Sequence, residues 1–258
     1  DGSEDKPFET LEKVNEVADN SGVKIILHTG TYTESVNFAQ QDLDIVGFNN
    51  TTSGIVYIQG TLTMSAPASS QRIKGIMYDN LIHGGAGGLY INECSLKTQF
   101  NKNGTGYCEV LNSDFAPSTT ANINGAGQTA FIGGKQKNIN VNNTGAIVTV
   151  NKSDNLTNFS VVNAYAIGII NSSVFASVTG NNAINVTGTV AGTSLINSQI
   201  YNPDGTHAKI NVGGLYSIDN IIFNQTASTL ETNIGQASWF DNIGFMNVPT
   251  ITTATKAL

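Results

Sequence analysis

Residues 238–247 read "SWFDNIGFMN" and repeat a phrase met earlier as "YSIDNIIFNQ" (216–225) and "SLINSQIYNP" (194–203). Each stretch places an Asn between apolar residues at nearly fixed offsets, although the letters differ. The interval is 26 residues between Asn171 and Asn197 (197 − 171) and 20 between Asn92 and Asn112 (112 − 92). A period of about 20 to 26 residues indicates a repeat architecture. The aligned asparagines are Asn92, Asn112, Asn171, Asn197, Asn220 and Asn242.

This period suits a chain that winds as a parallel β-solenoid with two or three short strands in each turn, or rung. Successive rungs stack about 4.8 Å apart. A side chain must therefore keep its inward or outward direction from rung to rung, whereas the residue type can change. The Asn is predicted to occupy a bend, where its short amide tolerates unusual backbone angles and can bond to the Asn of the next rung. The residues predicted to replace one another in one core stack are Phe115, Phe175, Ile200, Phe223 and Phe245.

Several stretches are less exact copies of the repeat. The 59 residues from Asn112 to Asn171 (171 − 112) leave room for three turns, and "KNINVNN" and "LTNFSVVN" are their predicted occupants. Earlier in the chain, "LDIVGFN" and "IKGIMYDN" resemble two more copies. The repeat is therefore expected to run from the first third of the chain to its end.

Composition favours strands as well. Charged residues make up 12% of the chain, and Asn, Thr, Ser and Gly fill most polar positions, so an all-β fold is expected. The net charge of −7 and a single arginine, Arg72, argue against nucleic acid as a partner. No apolar run has the length of a membrane span, so no membrane insertion is expected. Because the first residue is Asp1 rather than Met, we expect a soluble, excised or processed piece.

The N-terminal stretch differs from the rest of the chain. In "DKPFETLEKVNEVADNSG", apolar residues recur every three to four positions, Pro7 suits a helix start and Gly22 follows a plausible end. This pattern predicts an amphipathic helix of roughly three turns that covers the first rung. The predicted organisation is an N-terminal segment with a capping helix (1–22), a β-helix (23–247) and a C-terminal extension (248–258). The extension shows no cap, so the last rung is expected to contact another subunit or domain.

Cysteines and histidines give little indication of chemistry. Cys94 and Cys108 could pair, but we favour two free, buried thiols, since buried free Cys is common and a secreted disulfide framework normally has more cysteines. His28, His83 and His207 are isolated and lack metal-ligand spacing, so solvated or core histidines are expected. The sequence therefore predicts neither a metal nor a cofactor.

With its capping helix and the opening "GTYTESVNF" (30–38), the chain resembles the right-handed parallel β-helix of the pectate-lyase-like superfamily. Within that superfamily, the low charge and the rungs rich in Asn, Thr and Gly are most similar to bacteriophage tailspikes and tail fibres. The resemblance implies a receptor-binding or virion-structural role at a virion surface or outside cells. It also implies a host surface polysaccharide as ligand and a homotrimer or a larger virion assembly.

Enzymatic members of the superfamily use motifs that are missing here. The pectate-lyase type needs an arginine base and calcium-binding aspartates. "RIK" (72–74) and "HGG" (83–85) match polygalacturonase motifs only by chance, in the wrong place or order. Glu34 in the opening stretch is interpreted as a turn or capping contact near the helix. An enzyme of these types is not expected.

A tailspike glycosidase needs only two carboxylates that face a groove. Asp219 and Asp241 each precede a repeat Asn, so they are predicted to stack one rung apart, where like charges would raise one pKa. The favoured alternative is that both are exposed turn residues. Glu93 and Asp114 lie close to one aligned column and form a second, weaker pair.

Candidate sugar-stacking residues are aromatic. They are Tyr78, Tyr90, Tyr201 and Trp239, although Trp239 is better explained as a core or subunit-interface residue.

Three functional hypotheses remain. The leading one is a viral adhesin or fibre domain without established enzymatic activity, the second is a tailspike hydrolase, and the third is a cellular extracellular β-helix adhesin or lapsed polysaccharide enzyme.

Overall fold

The computed structural model divides into two compact units, Asp1–Thr119 (unit 1) and Thr120–Leu258 (unit 2). From strand β21 (Gln199–Asn202) onward it describes the backbone only. The described residues are 6–18, 22–48, 54–153, 156–157, 159–175, 184–186, 190–202, 208–212, 216–219, 222–225, 230–234, 238–241, 244–246 and 251–255.

A short helix, α1 (Leu11–Val17), opens unit 1. The Thr10 side chain caps its N-terminus, and a carboxylate oxygen of Glu34 accepts the Glu12 amide proton at 3.0 Å. This bond confirms the predicted capping role of Glu34. The helix has seven residues rather than three full turns, because Ala18 already adopts an extended backbone.

The strands of unit 1 form two parallel sheets. Sheet 1 runs β1–β4–β6–β8–β10. In sheet 2, both β2 and β3 pair with β5, and the order continues β5–β7–β9–β11. The strands are β1 (Lys24–His28), β2 (Gly30–Tyr32), β3 (Val36–Phe38), β4 (Leu43–Phe48), β5 (Val56–Met64), β6 (Gln71–Lys74), β7 (Met77–His83), β8 (Leu89–Asn92), β9 (Ser95–Lys102), β10 (Cys108–Leu111) and β11 (Asp114–Phe115).

Unit 2 has three parallel sheets, and the long strand β17 belongs to two of them. Sheet 1 runs β13–β15–β17–β20–β23–β26, sheet 2 runs β12–β14–β17–β19–β22–β25–β28, and sheet 3 runs β16–β18–β21–β24–β27.

Its strands are β12 (Thr120–Ile123), β13 (Gly127–Ile132), β14 (Asn138–Asn142), β15 (Ala146–Asn151), β16 (Leu156–Thr157), β17 (Phe159–Ile170), β18 (Ser173–Phe175), β19 (Ile184–Val186), β20 (Val190–Ile196), β21 (Gln199–Asn202), β22 (Ala208–Val212), β23 (Tyr216–Asp219), β24 (Ile222–Gln225), β25 (Leu230–Ile234), β26 (Ser238–Asp241), β27 (Gly244–Met246) and β28 (Ile251–Thr255). Each unit is thus a parallel β-solenoid, which confirms the predicted fold. Strand β28 carries the parallel pairing into residues 248–258, the predicted extension.

Inward and outward residues alternate along the strands, so apolar side chains stack in columns. In β15, for example, Val148 and Val150 are buried and Thr149 between them is half-buried. One predicted stack was wrong by one position: the column of Ile200, Phe223 and Phe245 contains Val174 rather than Phe175. Side chains along a strand alternate between the two faces of its sheet. An alignment that is wrong by one residue therefore assigns a side chain to the wrong face.

The repeat Asn occupies a left-handed bend after the sheet 1 strands, as predicted. The φ angles are 47° at Asn112, 49° at Asn171 and 47° at Asn197. Asn92 was aligned wrongly: it pairs with Leu111, and the next residue, Glu93, takes the left-handed conformation at 53°. Asn220 and Asn242 lie outside the described residues.

Two further bends fill the interval from Asn112 to Asn171. They are formed by Gly133 and Lys152, not by the predicted "KNINVNN" and "LTNFSVVN". The three turns predicted for this interval are therefore present, with other occupants. The shortest spacing between bends is 18 residues, from Gly75 to Glu93 (93 − 75), slightly below the predicted range.

A buried hydroxyl or thiol follows most of these bends. Ser172 Oγ accepts the Ser153 amide proton at 3.2 Å and donates to the Ile170 carbonyl at 2.8 Å. Ser198 repeats both contacts one rung later, to the Ser172 amide and to a carbonyl two residues back. In unit 1, Ser113 Oγ accepts the Cys94 amide proton at 3.1 Å. These bonds satisfy backbone donors that the bend leaves without a sheet partner.

Candidate functional site

The outward surface of sheet 1 in unit 1 carries the polar and aromatic side chains that best fit a ligand site. Strand register places Asp44, Arg72, Tyr90 and Glu109 in one column across β4, β6, β8 and β10. Their neighbours on each strand point inward, as with Ile73 in β6, so the alternation fixes the outward direction of the column.

Two tyrosines form the aromatic part of this surface. The rings of Tyr90 and Tyr107 lie with centroids 5.6 Å apart and planes tilted by 54°. Both residues are half-buried, so part of each side chain contacts solvent. Tilted pairs of this spacing are favourable, and such rings offer apolar faces beside hydroxyl groups. We call Asp44, Arg72, Tyr90, Tyr107 and Glu109 together the tyrosine surface.

Charged groups surround the two rings. The Arg72 guanidinium lies 5.7 Å from the Tyr90 centroid and donates to Asp44 at 3.3 Å. The Tyr107 hydroxyl donates to a Glu109 carboxylate oxygen at 2.7 Å. Burial and this bond to Glu109 raise the pKa of the Tyr107 phenol well above its usual value. The phenol therefore stays protonated near neutral pH and keeps donating.

The two carboxylates of this surface are too far apart to act as a glycosidase pair. Asp44 and Glu109 lie three strands apart, about 14 Å at the usual strand spacing. That separation exceeds the roughly 5 to 9.5 Å that glycosidase carboxylates need. Aromatic faces bordered by carboxylates and a guanidinium instead suit a ligand with apolar faces and many hydroxyl groups, such as a sugar.

Another outward tyrosine of unit 1, Tyr57 on sheet 2, already contacts its own neighbours. The Lys97 ammonium lies 4.0 Å from the Tyr57 ring centroid, and the Tyr57 hydroxyl donates to Asp79 at 2.5 Å. The bond to Asp79 is the main cause of the raised pKa of Tyr57. This cluster links neighbouring strands and leaves less of its ring to a ligand than the tyrosine surface does.

Of the four predicted aromatic residues, the structure describes the side chains of two, Tyr78 and Tyr90. Tyr90 belongs to the tyrosine surface, whereas Tyr78 lies in the core with 2% exposure and cannot stack on a ligand. Tyr201 and Trp239 lie in β21 and β26, where only the backbone is described. Register places Trp239 beside Ser217, in the column that Ala130 begins.

The predicted acid pairs differ in their register. Asp219 pairs directly with Asp241 in adjacent parallel strands, as expected from the repeat. Their side chains lie outside the described part. Glu93 and Asp114 do not share a column, because Asp114 pairs with Ser95. Glu93 instead forms an ion pair with Lys74 at 3.4 Å.

Other predictions concern buried groups. Cys94 and Cys108 are free and buried, as favoured, and burial raises the pKa of Cys94 to about 11 and that of Cys108 to about 12. His83 is a core histidine whose Nε2 bonds to the Gly87 carbonyl at 2.9 Å.

Among the described residues there is no group of three or more side chains that could hold a metal ion. In the same part of the chain, no helix is long and apolar enough to cross a membrane.

Comparison with protein-family models, with curated proteins and with solved structures gives no match for this chain. The functional argument therefore depends on the site itself. Sequence reasoning found Tyr90 but missed its neighbours, and the "RIK" stretch that contains Arg72 was dismissed as chance. Aligning outward positions of successive strands, rather than asparagines, would have placed Arg72, Tyr90 and Glu109 in one column.

Proposed function

We propose that the protein is a polysaccharide-binding β-solenoid domain and that the tyrosine surface holds the sugar. The observation that carries this proposal is the pair of half-buried rings, Tyr90 and Tyr107, on an outward sheet surface with Arg72 and Glu109 beside them. Sugar rings stack on aromatic faces, and their hydroxyl groups bond to carboxylate and guanidinium groups at the edge.

The resemblance to phage tailspikes and tail fibres suggests where such binding would act. In this proposal the domain recognises a host surface polysaccharide from a virion surface, as part of a homotrimer or larger assembly. The parallel solenoid supports this reading, as does a polar surface made mostly of uncharged residues. A cellular extracellular adhesin would use the same surface in the same way, and only the biological source would differ.

A hydrolase is the second candidate, and one observation favours it. Asp219 and Asp241 are register partners on adjacent strands, so their backbones lie about 4.8 Å apart. Paired carboxylates at about 5 Å suit a retaining glycosidase. The sugar would then be bound and cleaved in unit 2, whereas Tyr90 belongs to unit 1.

The first experiment measures both binding and cleavage. The protein is incubated with a panel of bacterial capsular polysaccharides and lipopolysaccharides, and retained ligand and new reducing ends are recorded. We expect binding that falls at least about ten-fold in Tyr90→Ala and in Tyr107→Ala. Tyr165→Ala is the matched control, because Tyr165 is 58% exposed and lies in unit 2.

Each outcome separates the hypotheses. Binding that survives both tyrosine substitutions, or that is absent from the whole panel, would refute the assignment of the tyrosine surface. New reducing ends that disappear in Asp219→Asn or Asp241→Asn would establish the hydrolase instead. Thermal unfolding of each variant shows whether a loss of binding reflects a loss of structure.

A further inference from the structure

The carboxylate of Glu109 differs from the other charged groups on the outward side of sheet 1 in unit 1. Arg72 lies 3.3 Å from Asp44, and Lys74 lies 3.4 Å from Glu93, so each of these cations already has an acidic partner. In the part of the chain that the structure describes, Glu109 forms no ion pair. Its negative charge is therefore open to a cation that a ligand supplies.

Two aromatic rings border this carboxylate. Tyr90 is the register partner of Glu109 on the adjacent strand, so their backbones lie about 4.8 Å apart. Tyr107 precedes Glu109 by two residues, and its hydroxyl donates to one carboxylate oxygen at 2.7 Å. An ionised carboxylate has about four acceptor positions, so this single bond leaves most of them open. An ammonium group held there would also be attracted by the faces of the rings.

Gly88 keeps the edge of the Tyr90 ring free of a side chain. Its φ is not positive, so the backbone does not require glycine at this position. A Cβ added to Gly88 would lie 3.3 Å from Tyr90 Cε2 and 3.3 Å from Ser70 Oγ, and would crowd both groups. Glycine is common where a ligand approaches the backbone closely.

The charge of unit 1 favours a cationic ligand as well. Residues 1–119 contain seven Lys or Arg and fourteen Asp or Glu, a net charge of 7 − 14 = −7. Such a unit attracts cations and repels anions. Lys24 belongs to the same column as Glu109 but lies four strands away, about 19 Å. That distance exceeds the screening length of about 10 Å at 0.1 M salt, so Lys24 does not neutralise Glu109.

We propose that the tyrosine surface binds an amino sugar, a saccharide that carries a protonated primary amine. The sugar ring stacks on the tyrosines, its ammonium group donates to Glu109, and its hydroxyl groups bond to the Arg72–Asp44 pair. An N-acetylated sugar offers the same ring but no charge. This inference rests on the proposed function, because it names the class of sugar that the same surface holds.

The test compares two oligosaccharides that differ only at the nitrogen. Oligomers of glucosamine and of N-acetylglucosamine, with the same length and linkage, are titrated into the full chain by calorimetry at low salt. The pH is chosen so that the sugar amine is protonated. We expect the glucosamine oligomer to bind at least about ten-fold more tightly. This preference should decrease as salt is added, because salt screens the attraction between the charges.

Glu109→Gln removes the charge but keeps an oxygen that can accept the Tyr107 hydroxyl proton. It should abolish the preference while binding of the N-acetylated oligomer stays the same. Glu93→Gln is the matched control, because it changes the net charge of unit 1 equally at an acid that is paired with Lys74. It should keep the preference. Tyr90→Ala should weaken binding of both oligomers.

The outcomes distinguish this inference from the proposed function. Equal affinity of the wild type for the two oligomers would overturn the amino-sugar assignment and leave polysaccharide binding in place, and this comparison needs no variant. A preference that survives Glu109→Gln would overturn it too. So would spermidine that competes as well as the glucosamine oligomer, because charge alone would then be recognised. If the polysaccharide panel contained a Tyr90-dependent ligand but the glucosamine oligomer did not bind, the assignment would also fail. Absence of binding to the panel and to both oligomers would refute the proposed function itself.

Discussion

The two units are built on the same kind of scaffold but differ sharply in charge. Residues 1–119 contain seven Lys or Arg and fourteen Asp or Glu, a net charge of 7 − 14 = −7. Residues 120–258 contain five of each, a net charge of zero, and have 22 asparagines against 10 in unit 1. The acidic character of the chain thus belongs to one unit, which also carries the tyrosine surface. Functions that need charge are expected there, and contacts that avoid it are expected in unit 2.

What the units share is a left-handed bend after several of their sheet 1 strands. Glu93 and Asn112 adopt the left-handed conformation in unit 1, and Lys152, Asn171 and Asn197 adopt it in unit 2. Because inward columns and bends hold the rungs, outward positions are free to vary between the units. The comparison therefore separates residues that maintain the solenoid from residues that give each unit its surface.

The largest difference is expected between glycines of the two units. A Cβ on Gly106 would overlap the carbonyl oxygen of Gly87 in the turn below it, whereas a Cβ on Gly168 has room. Backbone atoms cannot move aside as side chains can, so Gly106→Ala should destabilise unit 1 by about 3 kcal/mol. Gly168→Ala should change stability by less than about 1 kcal/mol. Urea denaturation of both variants measures the difference. Equal costs at the two positions would contradict the close stacking of the turns in unit 1.

The next effect concerns the buried hydroxyls after the bends. Ser172→Ala removes the acceptor of the Ser153 amide proton in unit 2, and an unpaired buried amide costs about 1–3 kcal/mol. Ser172→Cys should cost less, because Cys94 occupies the corresponding position in unit 1 and its thiol bonds to the Asn92 carbonyl. Ser173→Ala, at a half-buried neighbour, is the control. Thermal unfolding that places the alanine and cysteine variants at the same midpoint would show that this hydrogen bond contributes little.

The sequence predicted the solenoid because the fold depends on a simple pattern, alternation along strands and a bend at a regular interval. It predicted individual registers less well, since letters were aligned instead of backbone conformations. The left-handed bend accepts Glu93 and Lys152 as well as Asn, so a search for Asn placed the first of these bends one residue too early, at Asn92, and missed the second. Tyr90 was found, but its contacts with Arg72 and Tyr107 come from neighbouring rungs and become visible only in the folded chain.

A smaller, pH-dependent effect should be confined to unit 1. His83 is 1% exposed and its Nδ1 has no hydrogen-bond partner among the described residues, while Lys102, its register partner, is fully buried. Burial, and secondarily the Lys102 charge, hold the pKa of His83 below its ordinary 6.5. As the pH falls, His83 therefore takes up a proton at a higher pH in the unfolded chain than in the folded unit.

The stability that this histidine contributes is complete above pH 6.5 and falls as the pH drops below that value, by at most about 1.4 kcal/mol per pH unit. Urea midpoints between pH 7 and pH 5 should follow this slope in the wild type and flatten in His83→Gln. His28→Gln changes an exposed histidine of the same unit and should leave the slope in place. If His83→Gln kept the full slope, the acid sensitivity would have to come from carboxylates. The two units carry different numbers of acidic residues. Their stabilities at low pH would then differ because of surface charge, not because of one buried side chain.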